Sequence, residues 1–334
     1  VANRLASPPV LRTRFCELFG IEAPVLQAAI WPAASPELVA AVAAAGGLGS
    51  IGAIFASPAQ VGEQIARVRE LTERPFVVNH VVPLLDEEAF AATLEARPAG
   101  VSFALGDPGA ELVERVHDAG ARAIHQVHTV AQAREAAARG VDVLIAQGSE
   151  AGGQGMATAA GTMALLPQVV DAVAPIPVLA AGGVGDGRGL AAALVLGAAG
   201  ANVGTRFLAS NEASANEAWK RRILEVESED VVRFEAWGAF MPPSETGYDV
   251  VPRVIRSDFV AEWERRPEEA RTHAHRLRAE IMGAVQRERP DELTPFAGQS
   301  AGLVRDVLPA AEIVGGLVKE AEAALERASA LAGP

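Results

Sequence analysis

The chain reads as an α/β protein: a (β/α)8 barrel of the TIM type carrying a smaller, mainly helical inserted substrate domain. Three observations predict this. Eight short apolar runs recur within the first 207 of the 334 residues, most of them ending in glycine or a polar residue. Helical patterns alternate with them, which requires a parallel sheet with right-handed crossovers. The last two runs, PVLAAGGV at 177–184 and ANVGTRF at 201–207, break into small residues at the strand ends where such barrels hold phosphate groups. Eight units favour closure, although a doubly wound sheet shares the same periodicity.

The strands are expected at 25–28, 47–53, 76–82, 100–105, 122–127, 141–147, 177–182 and 201–207. Helices are expected at 36–45, 58–71, 86–96, 109–119, 129–139, 163–173 and 186–196, several opening on Pro, Asp or Thr and closing on Ala-Gly or Arg-Gly. From 211 to about 291 this rhythm stops. That stretch is charged and holds Trp219, Trp237 and Trp263, with helical patterns over 212–228 and 258–287 and an irregular segment at 234–248. The barrel is therefore assigned to 1–210 and 292–334, and a helical substrate domain over its mouth to 211–291. An amphipathic helix at 311–331 returns to close the barrel.

Composition excludes several classes of function. A formal charge of −13 disfavours nucleic acid and anionic membranes, which need a basic face. Cys16 is the single cysteine, so no internal disulfide forms and a reducing compartment is expected. No leader-like region and no apolar run of spanning length occurs; a soluble, cytoplasmic protein with a small-molecule substrate is expected. A homodimer is left open.

Three glycine-rich segments bear on the site. GLGSIG at 47–52 fits the dinucleotide letter pattern, but a helix precedes it and a strand runs through it, the reverse of the required context. AAGGVGDG at 180–187 follows a strand and opens a helix, and Gly204 and Thr205 supply the next strand end. Gly182, Gly183, Gly204 and Thr205 thus form a candidate phosphate site. QGSEAGGQG at 147–155 begins at a strand end, and the bare backbone of Gly152 and Gly153 could receive a flat aromatic ring.

Strand alternation sorts the polar residues. Gln126 and His128 share one face of the fifth run, Asn79 shares a face with Val77 in the third, and Gln147 ends the sixth. Three amides that donate and accept suit the alternating N–H and C=O edge of an isoalloxazine or a nucleobase. His128 has the parity to line the mouth. No His, Cys or carboxylate set has metal-ligand spacing, so no metal is expected. Neither a Gly-x-Ser-x-Gly elbow nor a Walker sequence is present.

PVLQAAI at 24–30, AAAGGLGSIG at 43–52, FVVNH at 76–80, IAQGSEAGGQG at 145–155, PVLAAGGVGDGRGLAAALVLGA at 177–198 and NVGTRFLASNE at 202–212 resemble the nitronate monooxygenase family, formerly the 2-nitropropane dioxygenases. AGQSAGLVRDVLPAAEIV at 297–314 resembles that family's C-terminal segment. The same fold group includes flavin-dependent enoyl-acyl-carrier-protein reductases and NAD(P)H:quinone reductases.

The resemblance implies an FMN-binding TIM barrel. Carried over by position, Gln27, Ala28, Ala29 and Ile30 run beside the flavin, with Asn79, Gln126 and Gln147 around its ring and Gly152 and Gly153 close to it. Gly182, Gly183, Gly204 and Thr205 hold its phosphate, and Gly298 and Gln299 close over the site. The implied activity is oxidation of alkyl nitronates with O2 as electron acceptor. The alternatives are an NAD(P)H-dependent flavin reductase acting on an enone, quinone or enoyl thioester, and an FMN-binding protein without turnover.

One departure stands out. The family's loop usually reads Glu-Ala-Gly-Gly-His, with the histidine as base or proton donor; here the position is Gln154. A glutamine amide does not titrate usefully near neutrality but still donates a hydrogen bond. Nitronates are already anions and require no base. Gln154 and His128 are the candidate catalytic residues, with Trp31, Phe103 and residues of the 240–248 stretch shaping the pocket.

Overall fold

Apolar runs three to six residues long form eight parallel strands, each too short to bury its ladder groups without neighbours on both sides. The computed structural model describes residues 11–157, 160–241 and 250–331. Its strands are β1 (Val25–Gln27), β2 (Gly49–Gly52), β3 (Phe76–Val81), β4 (Gly100–Ala104), β5 (Arg122–Val127), β6 (Val143–Gln147), β7 (Gly153–Met156), β8 (Val178–Ala181), β9 (Gly200–Val203), β10 (Val231–Arg233) and β11 (Val250–Ile255). The large sheet runs β1-β9-β8-β6-β5-β4-β3-β2. It closes on itself: Leu26 bridges Leu48, the Gln27 N–H donates to the Leu48 carbonyl at 2.8 Å, and the Leu48 N–H donates to the Val25 carbonyl at 2.9 Å. The TIM barrel expected from the sequence is the fold.

Helices Pro36–Ala44, Pro58–Leu71, Glu87–Glu95, Gly109–Asp118, Val130–Ala138, Thr162–Val173 and Gly187–Val195 surround it. Side chains of Ser35, Ser57, Asp86, Thr129 and Asp186 cap five of them and satisfy N–H groups that have no partner within the helix. Inside the barrel Leu26, Val77, Ile124, Ile145 and Leu179 pack together, and helix Arg14–Phe19 adds Phe15, Cys16 and Phe19 to that core. Phe19 reaches the first residue of β4, so this helix plugs the N-terminal ends of the strands. Cys16 is buried there. The C-terminal helix Ala310–Leu331 packs Ile313, Val314 and Leu317 against Leu190 and Ala191.

Three expectations are corrected. The strand expected at 201–207 stops at Val203, and Thr205–Leu208 is a single helical turn; four residues are too few to reveal a period. The glycine segment read as a loop contains β7, which pairs antiparallel with β11, itself paired with β10. The helix expected over 258–287 is three helices, Asp258–Glu264, Pro267–Thr272 and Ala274–Gln286; Pro267, which has no N–H to continue the preceding helix, opens the second.

The 211–291 segment, expected as an insertion, contributes helices and two strands of a small sheet, with a core of Phe234, Trp237, Phe240, Trp263 and Leu277. In β11 the buried Arg253 donates to the Ser149 carbonyl at 2.7 Å and the Val231 carbonyl at 2.8 Å. It ties the glycine segment to the insertion. Among the described residues, no helix is long and apolar enough to cross a membrane.

Candidate active site

A cavity of about 970 Å³ opens at the C-terminal ends of the strands and extends under the insertion. Parallel registration brings one inward residue per strand to its floor. Asn79 lies beside Ser102, Gln147 beside Ala181, and Asn202 beside both Ala181 and Leu26. Asn79 Nδ2 donates to Ser102 Oγ at 2.8 Å, and Gln147 Nε2 donates to the Gln154 carbonyl at 3.1 Å. Asn79, Gln126 and Gln147 all line the cavity, as do Ala28, Ala29, Ile30, Gly152, Gly153 and Gln154.

At the ends of β8 and β9, Gly182, Gly183, Gly204 and Thr205 line one side. Gly182 and Gly183 have φ of 99° and 79°, a region L-residues avoid. A Cβ on Gly182 would lie 2.7 Å from the Ala151 nitrogen. The helix N-terminus expected to face an anion here is already engaged. The Gly187 N–H donates to Glu320 at 2.9 Å, and the Arg188 and Gly189 N–H groups donate to Asp186 at 2.9 and 3.3 Å. An anion at these turns would meet the glycine strand ends and the Thr205 hydroxyl instead.

The glycine segment is shaped for backbone crossing. A Cβ on Gly152 would lie 2.4 Å from both the Ala297 carbonyl carbon and the Gly298 nitrogen, whereas nothing lies within 4 Å of one on Gly153. The Glu150 carboxylate accepts from the Thr162 N–H at 2.8 Å and from its hydroxyl at 3.1 Å. Its charge is thereby held at the N-terminus of helix Thr162–Val173, off the cavity wall.

Four sequence expectations are corrected by placement. Gln27 is fully buried; its Oε1 accepts from the Ser50 N–H at 3.0 Å and its Nε2 donates to the Ala28 carbonyl, so it braces the barrel wall. Gln299 does not line the cavity: its N–H donates to the Glu150 carbonyl at 2.9 Å and its own carbonyl accepts from Ser228, while its neighbours Gly298 and Ser300 face inward.

His128 follows the last residue of β5, where strand alternation no longer holds, and its N–H donates to Gln132 Oε1 at 2.8 Å. Its ring is buried away from the cavity, and burial, with His125 nearby, lowers its pKa to about 4. Phe240 belongs to the insertion's core, with Met241 taking the wall position; residues 242–248 lie outside the described residues.

Trp31 and Phe103 line the cavity as expected, Trp31 meeting Phe55 edge-on at 5.4 Å. The sequence reading missed Ser102, Asn202, Arg278 and Ser300, all on the wall. Alternation could have found Asn202, whose buried Oδ1 has no hydrogen-bond partner. Nothing local distinguishes Arg278 from its helix neighbours, yet among the described residues it is the only charged side chain on the wall.

These features fit a flavin: an unmatched buried acceptor beside an amide ring, and a glycine cradle that a Cβ would fill.

A family model described as nitronate monooxygenase matches residues 12–96 and 86–320. A probable nitronate monooxygenase of Staphylococcus saprophyticus is 35% identical over 267 residues, 66% of this chain and 75% of that protein. The (3aS,4S,5R,7aS)-5-hydroxy-7a-methyl-1-oxo-octahydro-1H-indene-4-carboxyl-CoA dehydrogenase of Mycobacterium tuberculosis is 42% identical over 218 residues; the match spans 64% of this chain and 61% of that relative's length. Among solved structures, FabK of Thermotoga maritima superposes with a TM-score of 0.86 at 31% identity, covering 96% of this chain and 100% of that one. Nitroalkane oxidase of Streptomyces ansochromogenes gives 0.80 at 28% identity, covering 94% and 99%.

Proposed function

The chain belongs to the nitronate monooxygenase family, and from that premise we propose that it is an FMN-dependent oxidoreductase that oxidises alkyl nitronates with O2. The observation that carries this reading is the cavity wall: a glycine-and-threonine cradle at β8 and β9, joined to a ring of amides and, among the described residues, no side chain able to act as a general base near neutrality.

FMN, when bound, supplies the electron sink and the reaction with oxygen. Gly182, Gly183, Gly204 and Thr205 would hold its phosphate, and Asn79, Gln126, Gln147 and Asn202 would match the polar edge of its ring. Gln154 would donate a hydrogen bond to a nitro oxygen and orient the substrate. Because a glutamine takes no proton, the substrate must arrive already deprotonated, as a nitronate does and a neutral nitroalkane does not. The apolar wall of Trp31, Phe103 and Phe296 keeps water from the reacting carbon.

The size of the cavity favours keeping a second reading, reduction of an enone, quinone or enoyl thioester with NAD(P)H. A visible spectrum of the purified protein, with chromatography of the released chromophore, tests the cofactor. Rapid oxygen uptake with a nitronate and no NAD(P)H oxidation supports the first activity, and the reverse pattern the second. If neither rate exceeds that of free FMN, the chain is a flavin-binding protein without turnover.

A further inference from the structure

One face of helix Ala274–Gln286 borders the cavity through Arg278, Ile281, Met282 and Val285, the i, i+3, i+4, i+7 spacing of a single stripe. Seven residues at 1.5 Å rise make this stripe about 10 Å long, cationic at one end and apolar along the rest. Phe55, after β2, and Leu84, in the helical turn after β3, also line the cavity and are 54% and 53% exposed. Both add apolar surface to the cavity's edge.

Arg278 itself is unusual on its helix. The nearby Arg271 and Arg276 pair with Glu268 and Glu280, whereas Arg278 has no carboxylate partner among the described residues. Its Nε and Nη2 instead donate to the Phe240 carbonyl at 3.0 and 2.8 Å. That pair of bonds fixes the guanidinium and leaves Nη1 to donate elsewhere. A chain of formal charge −13 repels anions overall, so an anionic ligand needs a local cation at its entry.

We propose that the substrate of this site is an elongated, mainly apolar molecule with an anionic terminus, carboxylate or phosphate, that docks on Arg278 while its body lies along Ile281, Met282 and Val285. This rests on the oxidoreductase reading of the same cavity and adds a substrate class to it. With Nε and Nη2 held by the Phe240 carbonyl, the charged N–H groups of Nη1 can donate to a carboxylate or a phosphate oxygen alike.

The test is equilibrium binding by calorimetry to the purified, flavin-loaded protein, its flavin content verified first by spectrum. The probes are straight-chain carboxylates from four to twelve carbons, the matching 1-alkanols and the matching alkyl phosphates. Carboxylates should bind on the order of tenfold more tightly than alkanols of equal length, and affinity should rise by up to about fourfold per methylene. Tighter binding of the phosphates than of the carboxylates assigns the terminus to a phosphate-bearing group, the converse to a free acid.

Arg278→Met should abolish the acid-over-alcohol preference and leave alkanol affinity intact, and Arg278→Lys should retain part of it. Equal affinity for acids and alcohols in the unaltered protein, or no dependence on chain length, overturns the proposal without touching the flavin reading. A protein that holds no flavin overturns that reading separately.

Discussion

The Thr205 hydroxyl accepts a 2.8 Å hydrogen bond from the main-chain N–H of Gly298. This one contact joins the end of β9 to the C-terminal segment 93 residues away in sequence. Accepting that bond leaves the hydroxyl hydrogen available to donate, so a single side chain can secure the closing segment and contact an anion together.

Thr205→Val therefore removes both roles. Flavin affinity should fall by about 10- to 30-fold, the loss of one charge-assisted hydrogen bond, and Thr205→Ser should restore most of it. Fluorescence titration of the apoprotein with FMN reads this out. Undiminished affinity in the valine variant would remove Thr205 from the phosphate site.

Gly182→Ala and Gly183→Ala should differ. Both place a Cβ at positive φ, costing about 1–2 kcal/mol, but only at residue 182 does that Cβ meet backbone, 2.7 Å from the Ala151 nitrogen; at residue 183 the nearest atom, Glu150 Cβ, is 4.0 Å away. Overpacking adds a further ~1–3 kcal/mol at the first position. Urea midpoints should rank the alanine at 182 as clearly the less stable variant. Equal midpoints would show that the Ala151 segment yields freely.

Stability should fall on mild acidification. Burial lowers the pKa of His80 and of His128 to about 4 in the folded chain, against about 6.5 when unfolded. The unfolded chain therefore binds more protons between these values. The stabilisation is complete above about pH 6.5 and is lost as pH falls toward 4, by up to about 3 kcal/mol per ring. Urea melts at pH 7.5, 6 and 5 should show this slope, and His128→Gln should flatten it. A slope unaltered by that substitution would show that His128 takes no part.

Gln154→His should add base chemistry. The unaltered protein should oxidise nitronates but not neutral nitroalkanes, with no rate break near pH 6.5. The histidine variant should gain about 10²-fold or more on neutral nitroalkanes, with a rate that rises through the imidazole pKa. Gain without pH dependence would mean that the histidine acts by contact alone.

Much of the barrel was legible because its signals are local. A two-residue strand period put Asn79, Gln126 and Gln147 on the inner face, and capping residues placed helix ends within about two positions. His128 was misplaced because alternation was extended one residue past the end of β5. Gln27 is found in the right strand, yet its amide is engaged with the Ser50 N–H, a long-range contact without a sequence signature. β11 escaped notice because its partner β7 lies 94 to 100 residues earlier in the chain, and β10 pairs with β11.

Alternation, capping and glycine placement are short-range properties, so the amino-acid sequence by itself determined the β/α units, the inward amides and the glycine strand ends. Closure through Leu26 and Leu48, the crossing of Gly152 over Gly298, and the arrival of Arg278 at the wall were decided only by tertiary structure. Each depends on segments brought together by packing, and no local pattern encodes which distant backbone or helix face will fill a given space.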